Sequence, residues 1–153
     1  MTISPAIDVE VSARLCASLD GVAAAMDRDY AWRQRIASAL RVVTFAGAVS
    51  LSGGAGTYDQ PDQMQAKTGY IWSIRRLTIT GFSAGTVIAY RNNTAGEQMV
   101  PYPLAATNTF GKGEMRLMSE DRLIISATSI TGTVTFYGEA DCFETWYRPF
   151  YMS

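Results

Sequence analysis

The chain has 153 residues, with 13 basic and 14 acidic side chains. This length suits one domain with an appendage, and the balanced charge argues against a general affinity for nucleic acid, which needs many cations to neutralise phosphates. The chain contains no histidine, which removes the commonest general base near neutral pH and the commonest metal ligand.

Neither a targeting segment nor a membrane span is predicted. The longest nearly apolar run, residues 42–51, is too short to cross a bilayer. We therefore expect a soluble protein that is made in the cytoplasm. The two cysteines, Cys16 and Cys142, fall in different segments, and both are expected to be buried, reduced thiols.

The N-terminal segment has the pattern of a helical arm. Ser4 can cap a helix, and Pro5 fits its first position. Gly21 costs about 1 kcal/mol inside a helix, so the predicted helix over residues 5–41 is either continuous or in two pieces. Apolar residues at steps of three and four form one stripe on it. The stripe consists of Ile7, Val11, Leu15, Leu19, Val22 and Met26.

Part of this stripe has the spacing of a coiled coil. Asp29 and Arg33 would occupy the next seam positions and do not favour burial, so the pattern covers fewer heptads than a firm coiled coil needs. The alternatives are an amphipathic helix on its own β module or on a neighbouring subunit, and a helical bundle between copies. The four residues with the coiled-coil spacing are Leu15, Leu19, Val22 and Met26.

The composition changes at residues 52–57, a Gly-rich segment that predicts a flexible hinge or loop. Residues 42–51 before it alternate loosely and predict a first strand. Residues 58–67 after it are polar and predict an exposed loop. We divide the chain into a helical arm, residues 1–41, and a β module, residues 42–153.

Residues 70–82 give the strongest strand signal. The apolar side chains change parity midway, and a strand buries one set on one side only because its side-chain period is two. Either both faces of this strand are covered or an extra residue resets the phase, and we predict a β-bulge near Arg75 and Arg76. The two arginines are either solvated on each side of the bulge or engaged in an ion pair within the sheet or across a subunit contact. Glycines in residues 81–85 predict a turn into a further strand, residues 86–91, and thus a hairpin.

The remaining segments predict several short strands. Residues 98–104 contain two prolines and can form an edge segment at best. Short strands at this spacing indicate an antiparallel sandwich. The predicted fold class is α+β, an N-terminal helical arm followed by an antiparallel β-sandwich or jelly-roll-like module. The further strands are residues 114–118, 122–128 and 134–141, with turns at residues 119–121 and 129–133.

No motif predicts a catalytic, cofactor or metal site. The Gly-Lys-Gly loop around Lys112 lacks the spacing of a phosphate loop. Glu120 and Asp121 are expected to form a solvated turn in which the aspartate bonds the backbone. Serine nucleophiles lack a histidine base, and the cysteines are isolated. We therefore expect a protein that is not an enzyme.

The C-terminus is rich in aromatic residues. Termini usually fray, and an aromatic terminus must be docked or it would expose an apolar patch. It either closes its own sandwich or lies on another copy. The residues predicted to form interfaces are Leu15, Leu19, Val22 and Met26 on the arm, and Trp146, Tyr147, Phe150 and Tyr151 in the tail.

Two segments carry a family resemblance. Residues 70–79 read Tyr-Ile-Trp-Ser-Ile-Arg-Arg-Leu-Thr-Ile, and residues 109–123 contain Phe-Gly-Lys-Gly-Glu-Met before an acidic turn. With the helical arm and the Gly-rich joint, this order resembles small virion structural proteins of tailed bacteriophages. In that family the later turn is acidic or Pro-Gly. Here it is Ser-Glu-Asp.

The resemblance implies a structural protein of the virion, made in the cytoplasm of the bacterial host. It implies a decoration or fibre protein of the head, or a neck or tail component, without catalytic residues. The expected partners are further copies of the chain, preferably in a trimer, and virion proteins such as the major capsid or portal and neck proteins. Nucleic acid and membranes are not expected partners. The alternative is an adhesin that binds carbohydrate through exposed aromatic rings near residues 58–62 or 90–94.

Overall fold

The computed structural model describes the backbone of residues 5–152 and the side chains of residues 10–149, 151 and 152. The predicted helix cap Ser4 and the side chains of Ile7 and Phe150 lie outside this description. The chain divides between Ser38 and Ala39 into two compact units, which are described in turn.

The first unit is a single long helix. Helix α1 spans Pro5–Ala39 without interruption at Gly21, so of the two alternatives the continuous helix is the one observed. It ends two residues earlier than predicted, because the β-branched run that follows favours an extended backbone. The first strand, β1, starts directly at Leu40.

The second unit is a six-stranded antiparallel sheet with short helices. The predicted fold class, α+β with a helical arm and an antiparallel β-sandwich-like module, is confirmed. The strands are β1 (Leu40–Val49), β2 (Gly56–Tyr58), β3 (Tyr70–Arg91), β4 (Thr107–Thr109), β5 (Arg116–Leu117) and β6 (Leu123–Glu144). The short helices are α2 (Pro61–Met64), a 3₁₀ turn (Thr145–Tyr147) and α3 (Arg148–Tyr151).

Two strands of 22 residues organise the sheet. β3 and β6 pair along their whole length, from Tyr70 opposite Glu144 to Arg91 opposite Leu123. β6 carries β1 and β2 on its other edge, and β3 carries β4 and β5 on its own. β4 is a strand that the sequence did not predict, because its Thr-Asn-Thr sequence has no apolar alternation.

The predicted hairpin between residues 70–82 and 86–91 is wrong, as is the turn predicted at residues 129–133. The chain instead continues through each segment as one strand, β3 and β6. The pairing of these two strands is locally irregular between Thr80 and Thr86. Gly81 and Gly132 adopt φ values of 95° and 109°, and a Cβ on Gly132 would collide with the carbonyl oxygen of Gly81. The glycines therefore bend two paired strands at one place instead of reversing the chain.

The predicted bulge is confirmed at the two arginines. The register of β3 against β6 shifts between Ile74 and Arg76. Arg75 and Arg76 are both exposed, and Arg75 also forms an ion pair within the sheet, with its Nε 3.2 Å from a carboxylate oxygen of Asp141. The two alternatives for these arginines therefore both hold in part.

The Gly-rich segment, predicted to be a flexible hinge or loop, forms a hydrogen-bonded turn that leads into β2. Ser52 and Ala55 exchange two backbone hydrogen bonds of 2.8 and 3.1 Å. The following segment is not a fully exposed loop, because Met64 at the end of α2 and Ala66 beyond it are completely buried. Both side chains belong to the main core, which the polar neighbours of Met64 in sequence concealed.

The predicted edge segment at residues 98–104 is confirmed. The amide of Met99 donates to the carbonyl of Ala89 (2.9 Å), and the amide of Leu104 donates to that of Val87 (2.8 Å). The segment thus covers part of the second half of β3.

One main hydrophobic cluster fills the inner face of the sheet, and a satellite cluster lies near its end. In the main cluster the rings of Phe45 and Trp72 stack with centroids 5.9 Å apart. Cys142 is buried there, as predicted, but Cys16 is exposed on the arm, so its predicted burial is wrong. The satellite cluster is formed by Ile71, Phe143 and Tyr151.

Candidate functional site

The arm presents an exposed apolar stripe. Its side chains retain between 55% and 67% of their accessible surface in one copy of the chain. The structure therefore brings the four predicted arm residues together on one exposed face. Tyr30 also belongs to the stripe, although the sequence reasoning missed it. Its signal was a step of four residues from Met26. The stripe consists of Val11, Leu15, Leu19, Val22, Met26 and Tyr30.

Two ion pairs accompany the stripe on the same helix. Arg14 donates to Glu10 at 2.6 Å, and Arg33 donates to Asp29 at 2.7 Å, each across one helical turn. Both pairs are largely exposed and contribute only about 0.3–0.5 kcal/mol each to helix stability. The Asp29–Arg33 pair flanks Tyr30, the last residue of the stripe.

The C-terminal tail docks on its own β module through Tyr151. The ring of Tyr151 lies 4.5 Å from that of Phe143, centroid to centroid, and only 6% of the residue is exposed. The ammonium group of Lys112 lies 5.2 Å from the centre of the same ring. Trp146 and Tyr147, also predicted to form interfaces, are half-buried. Tyr151 therefore contributes to the packing of its own module.

A buried carboxylate anchors the tail. Asp141 is only 6% exposed and accepts a hydrogen bond from the hydroxyl of Tyr151, while Arg75 approaches its other oxygen. Burial, and then the hydrogen bond to Asp141, raise the pKa of Tyr151 to about 12. The hydroxyl therefore stays protonated at neutral pH and acts as a donor to the carboxylate.

The outer face of the module also exposes apolar surface. Val42 on β1 and Tyr137 on β6 are both exposed there. Their strands pair with Val42 opposite Asp141 and Ala46 opposite Tyr137, so both side chains lie on the same face of the sheet.

The two loops considered for chemistry have structural roles. The amide of Gly113 donates to the hydroxyl of Ser73 (3.0 Å), and the neighbouring Lys112 covers Tyr151. The carboxylate of Asp121 accepts the amide of Met118 at 3.0 Å, as predicted for a turn in which the aspartate bonds the backbone.

Residues in both segments considered for carbohydrate binding make contacts within the module. The ring of Tyr58 packs edge-on against Phe136, with centroids 4.9 Å apart, and its hydroxyl donates to Gln63 at 2.9 Å. In the second segment the side chain of Asn92 donates to Asp121 at 2.9 Å.

A cavity of about 190 Å³ lies at the end of the sheet that holds β1 and the start of β3. The guanidinium group of Arg41 lies 4.8 Å from the centre of the Tyr70 ring in its wall. Its further lining residues are Val43, Lys67, Trp72 and Cys142.

Within the described residues, no three Cys, Asp or Glu side chains come together as a metal site would require. Among the helices of residues 5–152, none combines the length and apolar character of a membrane span. Comparison with protein-family models, with curated proteins and with solved structures gives no significant match to this chain. Its role is therefore inferred from its own residues, among which the exposed stripe of the arm is a candidate interaction surface.

Proposed function

We propose that this protein is a non-enzymatic structural component of a bacteriophage particle, of the capsid-decoration or head-fibre type. In this proposal it is made in the host cytoplasm, assembles as a homo-oligomer and contacts other virion proteins, such as the major capsid or the portal and neck proteins. The assignment to a virion rests on the sequence resemblance of residues 70–79 and 109–123. A neck or tail component is the alternative within the same class.

The exposed stripe of the arm is the observation that carries the proposal of assembly. Six large apolar side chains on one face of one helix form a contiguous patch, and such patches mark interaction surfaces on soluble proteins. Burying a side chain such as Leu19 contributes about 1.5–3 kcal/mol, so several together can hold copies of the chain together.

The first test is the mass of the purified full-length chain, measured by size-exclusion chromatography with light scattering over a range of concentrations. The expected result is an oligomer that dissociates on dilution. A trimer is the form expected if the protein projects from the particle, and the measured mass distinguishes it from other stoichiometries. A monomer at every concentration would contradict the proposed assembly.

The second test addresses the virion. Antibodies raised against the recombinant protein should label particles of the phage that encodes it, in electron micrographs of purified virions. Label on the head supports the decoration or head-fibre type, whereas label on the neck or tail supports the alternative. Unlabelled particles that also lack the protein by mass spectrometry would contradict a role in the virion.

A further inference from the structure

From Val11 to Tyr30, where the structure describes its side chains, the apolar stripe of α1 has the same spacing when it is followed from either end. From Val11 to Tyr30 its members succeed one another at steps of four, four, three, four and four residues. From this symmetry we infer that two copies of the chain pair through the stripe in antiparallel orientation, about a twofold axis between residues 20 and 21. The inference rests on the proposed self-assembly and specifies its partner and geometry.

A twofold axis at this position sets which side chains meet. Two residues, one from each subunit, lie at the same height along the pair when their residue numbers add up to 41. Leu19 then lies level with Val22 of the partner subunit, and Leu15 with Met26 of the partner subunit. At the ends, the small Val11 lies level with the large Tyr30 of the partner subunit. Each layer therefore combines two apolar side chains, which dense packing of the interface requires.

The charges at the end of the stripe favour the same orientation. Arg33 lies 11 residues after Val22 and therefore continues the seam, and in a parallel pair it would face its own copy. Like charges opposed across an interface are destabilising. In the antiparallel pair Arg33 lies level with Asp8 of the partner subunit, a residue of opposite charge, and it keeps its ion pair with Asp29 in its own helix.

The spacing also predicts how the two helices wind. The pattern repeats after 11 residues, as from Val11 to Val22, from Leu15 to Met26 and from Leu19 to Tyr30. An 11-residue repeat follows the helix surface at 3.67 residues per turn and produces a right-handed supercoil. This explains why a heptad, which requires 3.5 residues per turn, fits only the middle of the stripe.

Cysteine cross-linking of the full-length chain distinguishes the two orientations. Two variants, Leu15→Cys and Met26→Cys, are made in a Cys16→Ser background and treated with a short bismaleimide, separately and mixed. In the antiparallel pair residue 15 lies level with residue 26 of the partner subunit, and the two copies of residue 15 are about 16 Å apart along the axis. Covalent dimers are therefore expected from the mixture and not from either variant alone.

Matched charge variants show whether the stripe is the interface. Leu19→Asp places a carboxylate in the centre of the pair and is expected to raise the dissociation constant at least about tenfold. Ala17→Asp, on the opposite face of α1, is the control and should leave it unchanged. The expected mass of the unmodified chain in this geometry is that of a dimer.

The other outcomes are distinct. Dimers formed by Leu15→Cys alone would show parallel arms, as a trimer with threefold symmetry requires, and would overturn the antiparallel arrangement while leaving self-assembly intact. A chain that is monomeric at all concentrations would overturn both. Equal effects of Leu19→Asp and Ala17→Asp would show that the stripe is not the contact.

Discussion

The substitution Tyr151→Phe tests whether the tail stabilises the module from which it extends. It removes the hydroxyl that donates to Asp141 and keeps the ring that packs on Phe143. A hydrogen bond to a charged group contributes about 1.5–3 kcal/mol, and Asp141 is too buried to replace the lost donor with bulk water. We therefore expect the free energy of unfolding to fall by about 2 kcal/mol at pH 7.

Urea unfolding, followed by tryptophan fluorescence at fixed protein concentration, measures this loss. The midpoint should fall while the slope stays constant, because the substitution changes stability and not the surface exposed on unfolding. Tyr102→Phe is the matched control, since its hydroxyl donates to Glu114 at 3.3 Å from an exposed position. Its effect should stay within about 0.5 kcal/mol.

The pH dependence gives the same interaction a second signature. The pKa of Tyr151 is about 12 in the folded chain, against about 10 for an unperturbed tyrosine. Because the folded state holds this proton more tightly, the contribution is complete below pH 10 and is lost as the pH rises through 12. The loss amounts to at most about 3 kcal/mol. The charges that face the hydroxyl and ring are those of Asp141, Arg75 and Lys112.

Tyr151→Phe should lack this alkaline component, so the stabilities of the two proteins should converge between pH 10 and 12. Two results would refute the reasoning. One is a variant as stable as the unmodified chain at pH 7, and the other is a constant difference between them across the alkaline range. Either would mean that the hydroxyl of Tyr151 does not hold the tail.

Further predictions concern the two units separately. Gly132→Ala should destabilise the module by about 2 kcal/mol in urea unfolding, because φ there is 109° and the added Cβ meets a backbone oxygen. Gly21→Ala should instead increase helix stability by about 1 kcal/mol, because nothing lies within 4 Å of an added Cβ. Asn108→Ala should cost about 2–3 kcal/mol, since the buried carboxamide makes hydrogen bonds to three backbone groups. In thiol titration Cys16 should react in the native chain, and Cys142 only after denaturation.

The helical arm was the part of the fold that could be predicted most directly from the sequence. Its apolar residues recur at steps of three and four, and the spacing reports directly on one face of a helix. The bulge at Arg75 was accessible for a similar reason, since a change of parity between Ile74 and Leu77 leaves few other solutions in a strand. These features depend on residues that are near one another in the chain.

The two long strands, β3 and β6, could not be predicted in the same way. Glycines at 81, 85 and 132 are turn signals when each is considered alone. Their actual role depends on two strands meeting some 50 residues apart, where Gly132 lies against Gly81 and both ladders bend together. A local pattern cannot distinguish a bend shared by two strands from a reversal of one.

The candidate site likewise combines features that follow from local sequence with features that depend on distant residues. The stripe through Leu15 and Leu19 follows from local spacing, whereas the anchoring of Tyr151 depends on Asp141 and Arg75, which come from two different strands. One signal was available, because Asp141 interrupts an otherwise apolar run in residues 140–143. A charged residue in a strand of this kind requires a partner, and an aromatic hydroxyl nearby in sequence could supply it.

The tail packs within its own module, whereas the arm carries an exposed apolar stripe. Tyr151 finds its ring and hydroxyl partners within the module, but the stripe of α1 remains exposed in one copy. An isolated helix gains little from propensity alone, and most helical stability comes from packing an apolar face. We therefore expect the helical circular dichroism signal at 222 nm to fall on dilution through the dissociation constant, and to be lower in Leu19→Asp at concentrations above that constant. The urea midpoint of the module should not change. A helical signal independent of both dilution and Leu19→Asp would mean that pairing does not stabilise the arm.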